Sequence, residues 1–75
     1  MRRIIEGSIY QHFKGNEYKI LCLALNTETN EQMVIYQDVT NIEKIFARPY
    51  DMFISEVDHD KYPDVKQFYR FEEKH

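Results

Sequence analysis

Apolar and polar residues alternate along much of this chain with the period of two that marks half-buried strands. "SIYQHF" (8–13) reads as one strand and "EYKILCLALN" (17–26) as a longer one. The second carries apolar residues at both parities, the pattern of a central strand covered on each side over part of its length. Gly15-Asn16 lies between the two and is a two-residue hairpin signal, because glycine takes positive φ without steric cost. "TETNE" (27–31) is the next turn, with Asn30 suited to a left-handed position, and "QMVIYQD" (32–38) is a third strand. "VTNIE" (39–43) is a connection and "KIFAR" (44–48) a fourth strand, which Pro49 should end because it has no N–H for a ladder. "PYDMFI" (49–54) reads as a short helical turn with proline at its start, although an amphipathic helix over 50–57 fits the same residues. "DHDKYPDV" (58–65) is a polar loop and "KQFYRFEE" (66–73) a last strand. Five short strands and one helical turn predict a mainly β, single-domain chain over residues 1–75: a small SH3-like antiparallel barrel. Closure would hide edges that so small an open sheet leaves exposed.

With Gly15 and Asn16 as the two turn residues, Lys14 faces Glu17, Phe13 faces Tyr18, His12 faces Lys19, Gln11 faces Ile20 and Tyr10 faces Leu21. Opposed residues share a face. One face then holds Ile9, Phe13, Tyr18, Ile20 and Cys22 as core. The other holds His12, Lys14, Glu17 and Lys19 as a solvent-facing, mostly positive corner, turning apolar at Tyr10, Leu21 and Leu23. A single bulge exchanges the faces, because the side-chain period is two.

Composition supports the β reading: six Tyr and five Phe with no Trp suit a pleated, half-buried surface. A domain of 75 residues has a small core, burying about 60% of the unfolded chain's surface. Cys22 is the single cysteine, so no internal disulfide forms, and Leu21 and Leu23 beside it point to a buried thiol. Met1-Arg2-Arg3 is followed only by Ile4-Ile5 before Glu6, which is no signal-peptide apolar region. No apolar run approaches the ~20 residues of a membrane span, so no membrane partner is expected and the expected compartment is the cytoplasm. The net charge of −3 comes from residues 49–75, with seven acids and four bases; residues 1–48 carry six of each. That balance disfavours general nucleic-acid binding, which uses an excess of basic side chains, but leaves room for a local basic patch.

Recognisable catalytic motifs are lacking, and no enzyme activity is expected. Gly7 and Gly15 are isolated and make no phosphate-cradling loop, and no nucleophile sits in a known motif. His12, His59, His75 and Cys22 have no metal-ligand spacing, and Asp58-His59-Asp60 reads as a solvated acidic loop, so neither metal nor cofactor is expected. Rings interleave with bases in "FYR" (68–70) and "IFARPY" (45–50), a pattern used in single-strand binding, although a core this small needs most of its rings inside.

Several short motifs occur in order: Tyr10, His12, Phe13, Lys14, Gly15 and Tyr18; Thr27, Glu28 and Thr29; Val34 and Tyr36; Arg48, Pro49, Met52 and Phe53. In these the chain resembles a bacterial domain-of-unknown-function family, the one numbered 1653, over residues 9–54 with a loose match at Arg70-Phe71. It departs from that pattern before Arg-Pro, where "NIEKIFARP" with Phe46 stands in place of a glycine and a tryptophan. The resemblance implies a small bacterial cytoplasmic β domain, assigns no reaction, and singles out His12, Lys14 and Arg48. The expectation is therefore a binding module, a monomer or weak homodimer, whose partner is a protein or a small anionic ligand. Its site is His12, Lys14, Tyr36, Gln37 and Arg48, if the strand ends gather them on one rim. The guanidinium of Arg48 suits a carboxylate or phosphate; the structural alternative is an ion pair with Asp51 or Glu43.

Overall fold

The computed structural model describes residues 4–74, so Met1-Arg2-Arg3 and His75 lie outside the described residues. The elements are β1 (Ile9–His12), β2 (Glu17–Asn26), β3 (Glu31–Asp38), β4 (Ile45–Pro49), α1 (Tyr50–Phe53) and β5 (Phe71–Glu73). All five strands join one antiparallel sheet in the order β4-β3-β2-β1-β5. Asn30 takes φ 62 in the β2–β3 turn, the left-handed position expected of it. Pro49 is the last residue of β4, opposite Met33, and its missing N–H costs nothing at that end.

Outer strands β4 and β5 are not paired with each other, so the sheet is open and the barrel's closure is not seen. It is nevertheless strongly curled. In a flat sheet β3 and β5 would lie three strand spacings, or about 14 Å, apart. Yet Tyr36 on β3 and Phe71 on β5 bring their ring centroids to 5.6 Å. Phe53 of α1 closes this concave face, stacked on Phe71 at 4.1 Å and edge-on to Tyr10 at 5.4 Å and Tyr36 at 5.5 Å. Tyr10, Ile20, Val34, Tyr36, Phe53 and Phe71 form the buried cluster, with Tyr18 and Leu23 packed against it.

Two register features correct the expected faces. The hairpin pairs Ile9 with Lys19, Tyr10 with Tyr18 and Gln11 with Glu17, not His12 with Lys19. Gly15 donates its N–H to His12 O at 2.8 Å and has φ 108, while His12 N–H donates to Asn16 O at 2.8 Å. The loop is thus the three residues Phe13-Lys14-Gly15 with glycine in the positive-φ position, and the register moves by an odd number. Tyr10 therefore enters the core, Phe13 leaves it for the turn, and His12 joins the inner face. Glu17 meets Lys74 rather than Lys14. Further along β2 the register shifts between Ile20 and Cys22, leaving Leu21 as a bulge. This change of phase accounts for apolar residues at both parities: Ile20 faces inward before the bulge and Leu23 packs inward after it. Cys22 is half-buried.

The helix is the short turn expected over 49–54: it ends at Phe53, Ile54 N–H donates back to Tyr50 O at 3.1 Å, and the alternative helix over 50–57 does not form. The remaining correction is of extent. The last strand spans three residues instead of eight. Residues 66–70 instead run beside 55–57 through the Glu56–Tyr69 bridge, with Val57 N–H donating to Phe68 O and Arg70 N–H to Ser55 O. Gln67 holds that segment irregular, its amide donating to Gln11 O and Tyr69 O at 2.9 Å. Among the described residues no helix is long and apolar enough to cross a membrane.

Candidate functional site

His12 ends β1 on the inner face, where alternation from Tyr10 directs it and where its ring meets Phe71 edge-on at 4.8 Å. Its Nδ1 accepts the Lys14 N–H at 3.1 Å. In the neutral ring the proton therefore sits on Nε2. Burial at the edge of the core, followed by the charges of Arg48, Lys14 and Arg70, pushes the His12 pKa below its usual value. Neutral imidazole is the form this environment favours.

Arg48 reaches the same place from the opposite edge of the sheet. It follows Phe46 on the inner face of β4, and the curl carries its guanidinium over the Phe71 ring at 5.3 Å. Its Nε–H donates to the Tyr36 hydroxyl at 3.2 Å. No ion pair joins it to Asp51 or Glu43 among the described residues. Phe71 thus has both His12 and Arg48 against it, so two candidates three strand spacings apart become neighbours. Tyr36 joins them as a buried member of the core, its hydroxyl engaged with Arg48. Gln37 does not. Alternation places it on the outer face opposite Lys19 and Ile45, where its amide donates to Ile42 O at 2.7 Å and steadies the 39–44 loop.

Lys14 sits at the tip of the hairpin beside Lys61 and Arg70, which the sequence reading did not place in the site. A cavity of about 300 Å³ opens there between the β1–β2 turn and the 58–62 loop, and Lys14, Lys61, Arg70, Asp58 and His12 line it. Phe13 and Tyr62 form its ring wall at 5.1 Å, and the Lys14 ammonium lies 5.9 Å from the Phe13 ring centre and 5.7 Å from that of Tyr62. Backbone bonds fix both sides: Phe13 N–H donates to Arg70 O at 2.9 Å, and Tyr62 N–H to Asp58 O at 2.9 Å. The Asp58 carboxylate is turned to its own loop, accepting from the Asp60 N–H at 3.1 Å and the Lys61 N–H at 3.3 Å. Among the described residues no carboxylate is within ion-pair distance of Lys14, Lys61 or Arg70. No cluster of three His, Cys, Asp or Glu side chains arranged for a metal occurs among them either.

Lys61 hides in the sequence among three acids between residues 58 and 64, and Arg70 looks like an ordinary alternating strand residue. Their nearness to Lys14 depends on the pairing of residues 66–70 with 55–57, which leaves no local signal.

The molecule is therefore a small, curled, open antiparallel β-sheet domain with a cationic pocket at one end. A family model described as a protein of unknown function (DUF1653) matches residues 8–73, and the chain belongs to that family. No curated protein and no solved structure matches the chain.

Proposed function

We propose that this chain is a non-catalytic binding module whose ligand is an anion held at the hairpin tip. The observation that carries the reading is the unneutralised group of Lys14, Lys61 and Arg70 around one cavity, with His12 and Arg48 behind it. Lys14 and Lys61 are exposed and Arg70 is half-buried, so the cost is the mutual repulsion of like charges gathered on one rim, and a bound anion relieves it. In this reading the scaffold is an SH3-like barrel and the compartment the bacterial cytoplasm. The strand order, the curl that joins Phe71 to Tyr36 and Arg48, and the helical turn preceding β5 support the barrel. The test is the His12 titration, followed by NMR with and without inorganic sulfate. A bound anion should raise the His12 pKa; an unchanged titration with saturating anion refutes the reading.

One observation favours nucleic acid as a second ligand class. Rings and cations interleave at Phe13, Lys14, Lys61 and Tyr62, with the Lys61 ammonium 5.4 Å from the Tyr62 ring centre. Single strands are held by such stacking beside phosphate contacts. Affinity for an oligonucleotide that falls steeply with salt supports it, and a flat response removes it.

A further inference from the structure

We propose that the pocket between the β1–β2 turn and the 58–62 loop takes a phosphate monoester, bound as a dianion by Lys14, Lys61 and Arg70 with His12 as a further donor. The proposal rests on the anion-binding reading above and goes beyond it by naming the class of anion.

Charge is the first argument. Lys14, Lys61 and Arg70 set three positive charges against the single carboxylate of Asp58, an excess of two in a chain whose net charge is −3. A carboxylate, a sulfate ester or one phosphodiester link carries one charge and leaves half of that excess. A phosphate monoester carries close to two above its second pKa of about 6, and offers three acceptor oxygens. The donors match in kind as well as number, since ammonium and guanidinium groups form the short, charge-assisted bonds that phosphate oxygens accept.

Shape and preorganisation are the second. The cavity, about 300 Å³, has room for a phosphoryl group and a small organic substituent. Phe13 and Tyr62 give it an apolar wall suited to a flat substituent. The Phe13–Arg70 backbone bond and the 58–62 turn hold the backbone on both sides of the cavity without a ligand, so the ordering left to do on binding is that of the exposed Lys14 and Lys61 side chains. His12 faces Arg48, Lys14 and Arg70, and shares the cavity with Lys61 and Asp58. A dianion cancels that excess of positive charge beside its ring, so binding should take up a proton as pH approaches the imidazole's ordinary range.

The experiment is an amide NMR titration of the whole chain at about pH 7.5, above the phosphate's second pKa. The probes are phenyl phosphate, phenyl sulfate, a phosphotyrosine peptide and oligothymidylate. Phenyl phosphate should shift residues 12–15 and 58–62. Lys61→Ala and Arg70→Gln should each weaken it about tenfold, the loss of one charge-assisted bond. Lys19→Ala removes the same charge from the outer face and should change nothing; an equal loss there means diffuse attraction and overturns the site. Phenyl sulfate should bind at least about tenfold more weakly, and equal binding overturns the monoester assignment while sparing the anion reading. Oligothymidylate binding more tightly than phenyl phosphate overturns it in favour of a nucleic-acid site. Binding by none of the probes fails both readings. The peptide arm separates two sources of one chemistry: tighter than phenyl phosphate indicates a phosphorylated side chain, equal a free phosphate ester.

Discussion

If the sheet is curled as described, Phe71 and Tyr36 must be energetically coupled although two strands separate them in the ladder. The perturbation is a double-mutant cycle with Phe71→Leu and Tyr36→Leu. Both side chains are almost fully buried, at 1% and 4% exposure, and their rings meet at 5.6 Å with an interplanar angle of 68°. Phe71→Leu should cost about 1–1.5 kcal/mol, as a hydrophobic exchange that keeps most of the volume. Tyr36→Leu should cost about 1 kcal/mol more, because the Arg48 Nε–H also loses its acceptor. Edge-to-face ring pairs contribute about 0.5–1.5 kcal/mol beyond area burial, and that is the coupling expected from the cycle. A chain of this length has about 4–11 kcal/mol in total, so the double variant should still fold and its urea transition can be measured. Leu25→Ala is the control, on a side chain 59% exposed near the far end of β2, and should be additive with Phe71→Leu. Additivity of Phe71→Leu and Tyr36→Leu within about 0.3 kcal/mol would refute the curl, because residues about 14 Å apart in a flat sheet do not couple.

Gly15→Ala should destabilise the domain by about 1–2 kcal/mol in thermal unfolding, although nothing lies within 4 Å of the added methyl, because the cost is the φ of 108 alone. The His12 pKa is depressed in the fold, so the unfolded chain binds its proton first; stability should fall as pH drops below about 6.5, and His12→Gln should remove that dependence. Asp38 behaves in the opposite range: hydrogen bonds from the Thr40 hydroxyl and N–H hold its carboxyl below the usual value. Its contribution is complete above the ordinary carboxylate pKa and is lost as pH falls through the lowered one, a step that Asp38→Asn should flatten in acid denaturation curves.

Much of the fold was legible because its signals are local. β2 spans the residues its apolar run marked, Asn30 takes positive φ, and Pro49 ends β4 at the edge of the sheet. What escaped was parity. Gly15-Asn16 supports a two-residue loop as well as the three-residue loop that forms, and the choice is made by tertiary bonds such as Phe13 N–H to Arg70 O. Such an error reverses both faces at once, which is why Phe13 was expected inside and His12 outside. The bulge at Leu21 reverses parity again, so a long apolar run read as two-sided coverage is in fact a strand that changes phase. Of the candidate site, His12, Lys14, Tyr36 and Arg48 were visible as polar or aromatic positions in short motifs. Lys61 and Arg70 were not, because only long-range pairing sets them beside Lys14, and Gln37 lies on the outer face, away from the other candidates, because its strand neighbour Tyr36 faces inward.

The position of His12 explains why a histidine suits it. Its ring fills space against Phe71 and Phe13, at 4.8 and 4.5 Å, as a core aromatic does. Its Nδ1 satisfies the Lys14 N–H in the turn, which a phenyl ring would leave without that acceptor. A lysine or arginine would add a permanent positive charge beside Arg48, Lys14 and Arg70, and burial would raise its cost. Neutral imidazole meets the packing and hydrogen-bonding demands without that charge, and retains the capacity to become charged. The condition that lets it do so is an anion among the cations that now oppose its protonation, so the same ring that completes the core also reports occupancy of the pocket.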